Sequence, residues 1–333
     1  MKIQEAKMAG RSFNNAYIYD SDGRKPVFLE IPHSGLCGLS TLDNVPLAIG
    51  NKIRYDSRAV KGTVNSGHDQ AVPLMSACLD LASRYRLPLI FNNLARVFCD
   101  TNRSKDQVSD WALEGGVPNE HHHRVIWART MLSGVDLSLP MEELEAIVKE
   151  RCEKTLSEPL NESQFDSLMK QVYDPYHTGI QFHHHASIKR HGFCIHLALH
   201  SLPPSSVRKV LGGYVTGVKA SRGSFDLAKN TLPDIILIHN NYKAADKILI
   251  KLVRNAFESG GLIVEDGQGP FLDDIGITKI YGNPRRSVNV IGIEHVTHDI
   301  ELDRHLGGTR LNKGKAKEMQ KYYEQAIINL LEE

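Results

Sequence analysis

The sequence predicts an α/β protein in which helices cover both faces of a central mixed sheet, giving three layers. Short apolar runs of about four to eight residues, rich in β-branched and aromatic side chains, recur along the 333-residue chain. Several of them are separated by enough chain for a helix, which the crossover between parallel strands requires. We expect a single domain over residues 1–333, with a helical insertion at about 104–170, where no convincing strand pattern occurs.

The apolar pattern places the individual elements. The runs that predict buried strands are residues 26–31, 87–91, 95–99, 193–197, 234–238, 261–265 and 287–294. Apolar residues at helical spacing predict helices over 140–150, 162–172 and 312–332. The first of these helices begins at Pro140, because proline is favoured in the first helical turn.

Charge and cysteine content exclude several classes of protein. Lys and Arg number 40 against 39 Asp and Glu, which argues against a dedicated binder of nucleic acid or anionic membranes. No apolar run approaches the roughly 18 residues of a membrane helix, and the first residues lack the apolar core of a signal peptide. Five cysteines without a CxxC pair argue against a disulfide framework and favour a reducing, cytoplasmic compartment. The oligomeric state stays open.

Two histidines are predicted at the ends of strands. His33 follows the first predicted strand, within the sequence IPHSG, and His200 follows the strand over 193–197. Open α/β sheets bind ligands at the carboxyl ends of their strands, where two imidazoles can share one Zn²⁺ with a carboxylate as third ligand. We therefore expect the two side chains within about 4 Å of one another. The alternative is a pair of unrelated loop histidines.

Arginine and amide side chains follow the predicted strand over 95–99. Asn102 and Arg103 come shortly after it, and Arg96 lies within it. The planar fork of arginine suits a carboxylate, and asparagine adds a donor. The alternative is a surface arginine paired with Asp100 or Asp106.

A further carboxylate, Glu294, lies late in the last predicted strand. A glutamate at a strand end beside a metal can act as a general base. The alternative is a structural glutamate with an ion-pair partner.

In their order, these segments resemble the N-formylglutamate amidohydrolase family, which is related in fold to zinc carboxypeptidases and aspartoacylases. The resemblance runs from about residue 26 to about 300, and three motifs carry it: IPHSG at 31–35, DTNR at 100–103 and YDPYH at 173–177. Chance agreement in all three, in order, is improbable. Weaker matches are Asp69, His200-Ser201, Phe271, Ile277-Thr278, Tyr281-Gly282 and Glu294.

The resemblance implies metal-dependent hydrolysis of the acyl amide of a small N-acyl amino acid such as N-formylglutamate. It implies one Zn²⁺ ion held by His33, Asp69 and His200, with His68 as an alternative to Asp69. Glu294 would be the general base, and Arg96 would stabilise the oxyanion. The residues that would bind the substrate are Asn102, Arg103, His177 and Ser201.

Departures from the family pattern leave two other functions open. The family usually has aspartate two residues before the second histidine, where this chain has Ala198, and glutamine two residues before the glutamate, where it has Gly292. The chain could therefore be a carboxypeptidase-like metallopeptidase, or a non-catalytic relative that binds a small carboxylate. If the strand has room, Ala198→Asp is expected to give His200 a partner and raise its metal affinity.

Overall fold

The computed structural model describes part of the chain in a form that supports structural statements. The described residues are 7–8, 11–12, 16–19, 25–33, 46, 48–53, 71–92, 94, 99–102, 139–140, 142–143, 157–158, 160–202, 207, 232–267, 271–272, 276–296, 302–305, 308–311 and 313–332.

A seven-stranded mixed sheet forms the centre of the molecule. The strands in chain order are β1 (Lys7–Met8), β2 (Arg11–Ser12), β3 (Ala16–Tyr19), β4 (Val27–Ile31), β5 (Leu89–Asn92), β6 (Cys194–Leu202), β7 (Ile235–Ile238), β8 (Val264–Asp266), β9 (Val288–Val296), β10 (Leu302–His305) and β11 (Gly308–Leu311). The central sheet has the order β3-β5-β4-β6-β9-β7-β8, whereas β1-β2 and β10-β11 form separate pairs.

Four neighbouring strands of the central sheet run in the same direction. β5, β4, β6 and β9 are parallel, while β3 runs antiparallel to β5 and β7 antiparallel to β9. The carboxyl ends of the four parallel strands therefore meet at one edge, which is where an open α/β sheet places its ligands.

Helices pack on both faces of this sheet. Those described are α1 (Ala71–Tyr85), α2 (Glu162–Leu168), α3 (Asp174–His191), α4 (Lys247–Ser259), α5 (Ile277–Tyr281) and α6 (Lys313–Glu332). Leu197 and Leu199 of β6 join the core beneath α1, α4 and α6, whereas Ala198 packs towards Tyr176 of α3. The predicted three-layer α/β class is confirmed. Within the described ranges, no helix combines the length and apolar character needed to cross a membrane.

The predicted elements compare with the structure as follows. Six of the seven predicted strands correspond to β4–β9 in chain order, and the predicted C-terminal helix is α6. Most of the strand over 95–99, the helix over 140–150 and the insertion over 104–170 lies outside the described residues. Their prediction, and that of a single domain, stays untested.

The helix predicted over 162–172 continues much further. It begins with a capping box at Asn161, passes through one π-helical turn over Met169–Tyr173, and ends at Gly192, which has a φ of 83°. The π turn ends two residues before Pro175, which has no N–H for the helical ladder and would crowd the carbonyl four residues earlier. α3 therefore continues the helix across the YDPYH motif.

Candidate active site

The side chains of His33 and His200 meet at the carboxyl edge of the sheet. β4 and β6 are adjacent parallel strands, so the histidine just after β4 lies beside the histidine near the end of β6. Their Nδ1 atoms are 3.3 Å apart, and both residues are buried. The proximity expected from the sequence is present, and the role of the pair as metal ligands stays a prediction.

Asp100 orients His33 from the other side of the ring. Nε2 of His33 donates to Oδ1 of Asp100 at 2.8 Å, and the same oxygen accepts the backbone N–H of Asn102 at 3.0 Å. A carboxylate on Nε2 holds the ring proton there, so the lone pair of Nδ1 faces His200. From the sequence, Asp100 is predicted only as a possible partner of an arginine, although its place in the DTNR motif is a signal of a role in the site.

Glu294 lies one strand further along the same edge. The register pairs His200 of β6 with Glu294 of β9, and the side-chain alternation puts both on the face that carries Ala198. Adjacent strands are about 4.8 Å apart, so the carboxylate belongs to the same group of side chains as the histidine pair. This placement suits the predicted general base, a role that stays a prediction.

Two of the predicted substrate-binding residues point in different directions. Ser201 follows His200, so the alternation turns its side chain to the opposite face, the one that carries Leu199. Its Oγ is buried and has no hydrogen-bond partner among the described residues. Asn102 lies at the histidine edge, where its Oδ1 accepts the backbone N–H of Ile277 at 2.8 Å.

His177 lies beside Asn102, and the structure uses both of its ring nitrogens. Nε2 donates to the backbone carbonyl of Thr101 at 3.1 Å, and Nδ1 accepts the hydroxyl of Tyr281 at 2.6 Å. The ring also borders a surface cleft of about 470 Å³. A contact between His177 and a substrate therefore remains a prediction.

Four predicted site residues lie outside the described part of the chain: Arg96, Arg103, Asp69 and His68. Within the described part, no group of three or more His, Cys, Asp or Glu side chains is arranged to hold a metal ion. The third ligand predicted at Asp69 or His68 is therefore untested.

A buried network of polar side chains, which the sequence did not reveal, lies beneath the histidine pair. Glu30 is fully buried, accepts the hydroxyl of Tyr176 at 2.5 Å and lies 3.4 Å from Nε2 of His196. The other nitrogen of His196 is 3.1 Å from Nε2 of His184. Burial raises the pKa of Glu30 to about 8 and lowers the pKa of His196 to about 3. These buried polar side chains are therefore mainly uncharged at neutral pH.

Glu30→Gln is expected to make stability less dependent on pH. The folded-state pKa of about 8 lies above the ordinary value of 4.5, so the folded wild type binds an extra proton between these values. Its free energy of unfolding therefore falls as pH rises through this window, by up to about 1.4 kcal/mol per unit. Urea unfolding at several pH values should show that the free energy of unfolding of Glu30→Gln rises relative to that of the wild type as the pH approaches 8. A constant difference would contradict this.

The two departures from the family pattern are packed positions. Ala198 is fully buried in an apolar cluster and lies beside Glu30 in the register of β4 and β6. A Cβ added to Gly292 would lie 3.0 Å from Cβ of Ile238 and 3.0 Å from Cγ2 of Thr278. The contacts at Gly292 leave little space for a side chain there, whereas the effect of Ala198→Asp on metal affinity stays a prediction.

Ala198→Asp is also expected to lower the free energy of unfolding by about 3 kcal/mol, because it buries a carboxylate in an apolar cluster beside Glu30. Urea unfolding near pH 7 measures the change, with Ala198→Ser as a smaller polar control. If Ala198→Asp is as stable as the wild type, the apolar cluster around residue 198 can rearrange to accommodate the carboxylate.

Comparisons with known proteins identify the family and a similar fold. A model of the N-formylglutamate amidohydrolase family matches residues 25–299, a span that contains all three motifs. The crystal structure of N-formylglutamate amidohydrolase from Ralstonia eutropha JMP134 has a similar fold, with a TM-score of 0.62 and 18% identity over 95% of this chain and 97% of that one.

A gene product of Agrobacterium tumefaciens, Atu2144, is 14% identical over 95% of this chain and 92% of that one, with a TM-score of 0.49. No protein with a curated function matches significantly. Because the family model covers most of the sequence, the chain belongs to the N-formylglutamate amidohydrolase family and is an amidohydrolase.

Proposed function

We propose that this amidohydrolase cleaves the acyl amide of a small N-acyl amino acid, such as N-formylglutamate, with one Zn²⁺ ion at the histidine pair. The observation that carries the proposal is the 3.3 Å separation of the Nδ1 atoms of His33 and His200. Two nitrogens at this separation, each about 2.05 Å from one ion, subtend about 107° at it, which is close to a tetrahedral angle. Asp69 is the proposed third ligand, with His68 as the alternative.

A zinc ion in this position would polarise the acyl carbonyl and lower the pKa of a bound water towards neutrality. Glu294 would accept the proton of the attacking water and deliver it to the leaving amine. Its place beside His200 in the β6–β9 register supports this role. Arg96 would stabilise the negative charge that develops on the acyl oxygen.

Asn102 and Arg103 would hold the α-carboxylate of the substrate and so fix the amide over the histidine pair. The bond from Ile277 to Oδ1 of Asn102 supports this, because it anchors the side chain and sets the direction of its NH₂ group. Ser201 and His177 have no assigned part in this step.

Arg103→Lys is expected to raise KM strongly for a carboxylate-bearing substrate, while kcat changes less. Lysine keeps the charge but lacks the planar fork that binds a carboxylate through two parallel hydrogen bonds. Steady-state kinetics with N-formylglutamate measure both constants. An unchanged KM would move the carboxylate site to another residue, with Arg96 the next candidate.

The proposed function is tested by hydrolysis of N-formyl amino acids, N-acetyl amino acids and a dipeptide, using metal-depleted protein with and without Zn²⁺. We expect Zn²⁺-dependent release of the acyl group from at least one N-acyl amino acid, and loss of the reaction in His200→Ala. Preferential cleavage of the dipeptide would indicate a carboxypeptidase-like enzyme. Ligand binding without turnover would indicate the non-catalytic relative that Ala198 and Gly292 left open.

A further inference from the structure

The three residues Asp100, Thr101 and Asn102 form a turn, called here the site turn, that connects most parts of the candidate active site. Asp100 bonds to the ring of His33, and Asn102 bonds to the first residue of α5. Thr101 lies between them and is completely buried. A displacement of this turn would therefore change the orientation of His33.

Two consecutive residues of α3 hold Thr101 from opposite ends. His177 donates from Nε2 to the Thr101 carbonyl at 3.1 Å. The hydroxyl oxygen of Tyr176, whose own proton is donated to Glu30, accepts the hydroxyl of Thr101. The hydroxyl of Thr101 also lies 3.4 Å from the carbonyl of Pro32, the residue before His33, so its one proton is shared between these two acceptors. The site turn is thus tied to both α3 and the end of β4.

Both α3 residues are themselves fixed by buried partners. The hydroxyl of Tyr176 donates to Glu30, and Nδ1 of His177 accepts the hydroxyl of Tyr281. Burial lowers the pKa of His177 to about 4, so its ring is neutral at pH 7 and has one nitrogen that donates and one that accepts. Neither nitrogen can bind a substrate without giving up a bond inside the protein.

We propose that Tyr176 and His177 are positioning residues, which hold Thr101 so that Asp100 stays bonded to Nε2 of His33. In this role, the YDPYH motif holds the DTNR motif in place through the hydrogen bonds of Tyr176 and His177 to Thr101. This gives His177 a role other than contact with the substrate. The consequence for metal binding rests on the proposed function, whereas the consequence for the His33–Asp100 bond does not.

The first test observes this bond directly in metal-free protein. With ¹⁵N-labelled histidine, the hydrogen-bonded Nε2–H of His33 gives a ring signal that is identified by its loss in His33→Gln. We expect this signal to broaden or disappear in His177→Phe and in Tyr176→Phe. Both variants keep an aromatic ring at the position but remove the hydrogen bond to Thr101. Tyr323→Phe is the matched control, because Tyr323 is equally buried but packs on the opposite face. An unchanged His33 signal in both α3 variants would overturn the proposal.

The second test separates positioning from substrate contact. A positioning role lowers Zn²⁺ affinity in His177→Phe, by about 10–100-fold, and lowers kcat while KM changes little. A raised KM with unchanged Zn²⁺ affinity would overturn the positioning role of His177. If His177→Phe does not fold, Tyr176→Phe provides both measurements. A wild type without hydrolytic activity would contradict the proposed function, and the His33 signal would still decide this inference.

Discussion

Glu294→Gln is expected to lower kcat by roughly 10²–10⁴-fold, with the metal content near that of the wild type. The amide keeps the shape of the side chain but cannot accept a proton from water. Glu294 lies beside His200 in the register of two parallel strands, so the change affects the proposed base without removing either histidine. Steady-state kinetics and metal analysis of the same preparation measure the two effects.

Glu265→Gln is the matched control for this variant. Glu265 lies in β8, which is separated from β6 by both β9 and β7, so the same chemical change there should leave kcat near the wild-type value. If Glu294→Gln loses metal together with activity, Glu294 is a ligand and another group is the base. If it retains full activity, Glu294 has neither role.

The parts of the fold that the sequence predicted are those with a strong apolar signal. The buried parallel strands are nearly continuous apolar runs, so β4 and β9 are predicted within two residues of their observed bounds. The prediction for β6 ends at residue 197, whereas the strand continues to Leu202. The strand β3 was missed, since an edge strand of four residues gives little pattern.

α3 was missed for a different reason. Its buried residues have helical spacing, but most are polar: Tyr176, His177, Ile180, His183, His184 and Ser187. An apolar periodicity cannot reveal a helix that buries histidines. His184 and Tyr176 belong to a group of polar side chains that only the folded structure assembles, because Glu30 lies 146 residues from Tyr176 in the sequence.

The candidate site, too, has one part that the sequence predicts and another that it does not. The proximity of His33 and His200 followed from two strand ends at one edge of a parallel sheet, which sequence order and strand direction determine. The bond from His33 to Asp100 joins residues 67 positions apart and depends on how the chain turns after β5, which no local pattern describes. Motif membership cannot distinguish contact with a substrate from bracing. The motif predicts His177 as a substrate ligand, whereas the proposal that it braces the site turn rests on its bonds to Thr101 and Tyr281.

Asp100→Asn is expected to weaken Zn²⁺ binding by about 10–100-fold and to lower activity at limiting Zn²⁺. The carboxylate accepts both Nε2–H of His33 and the backbone N–H of Asn102 on the same oxygen. The single oxygen of a neutral amide accepts both bonds more weakly than a carboxylate does, and the flipped amide presents N–H to the ring instead. An N–H facing Nε2 favours the tautomer of His33 that carries its proton on Nδ1. In that tautomer no free lone pair faces His200.

Competition with a chromophoric chelator measures the Zn²⁺ affinity of the wild type and of Asp100→Asn. Asp246→Asn is the matched control, because asparagine can also cap α4 and the change leaves the histidine pair intact. If Asp100 acts through the tautomer of His33, excess Zn²⁺ should restore part of the lost activity, since metal binding pulls the ring back to the competent form. An affinity within twofold of the wild type would show that the carboxylate does not control this ring, and the orientation of His33 would then depend on its contact with His200.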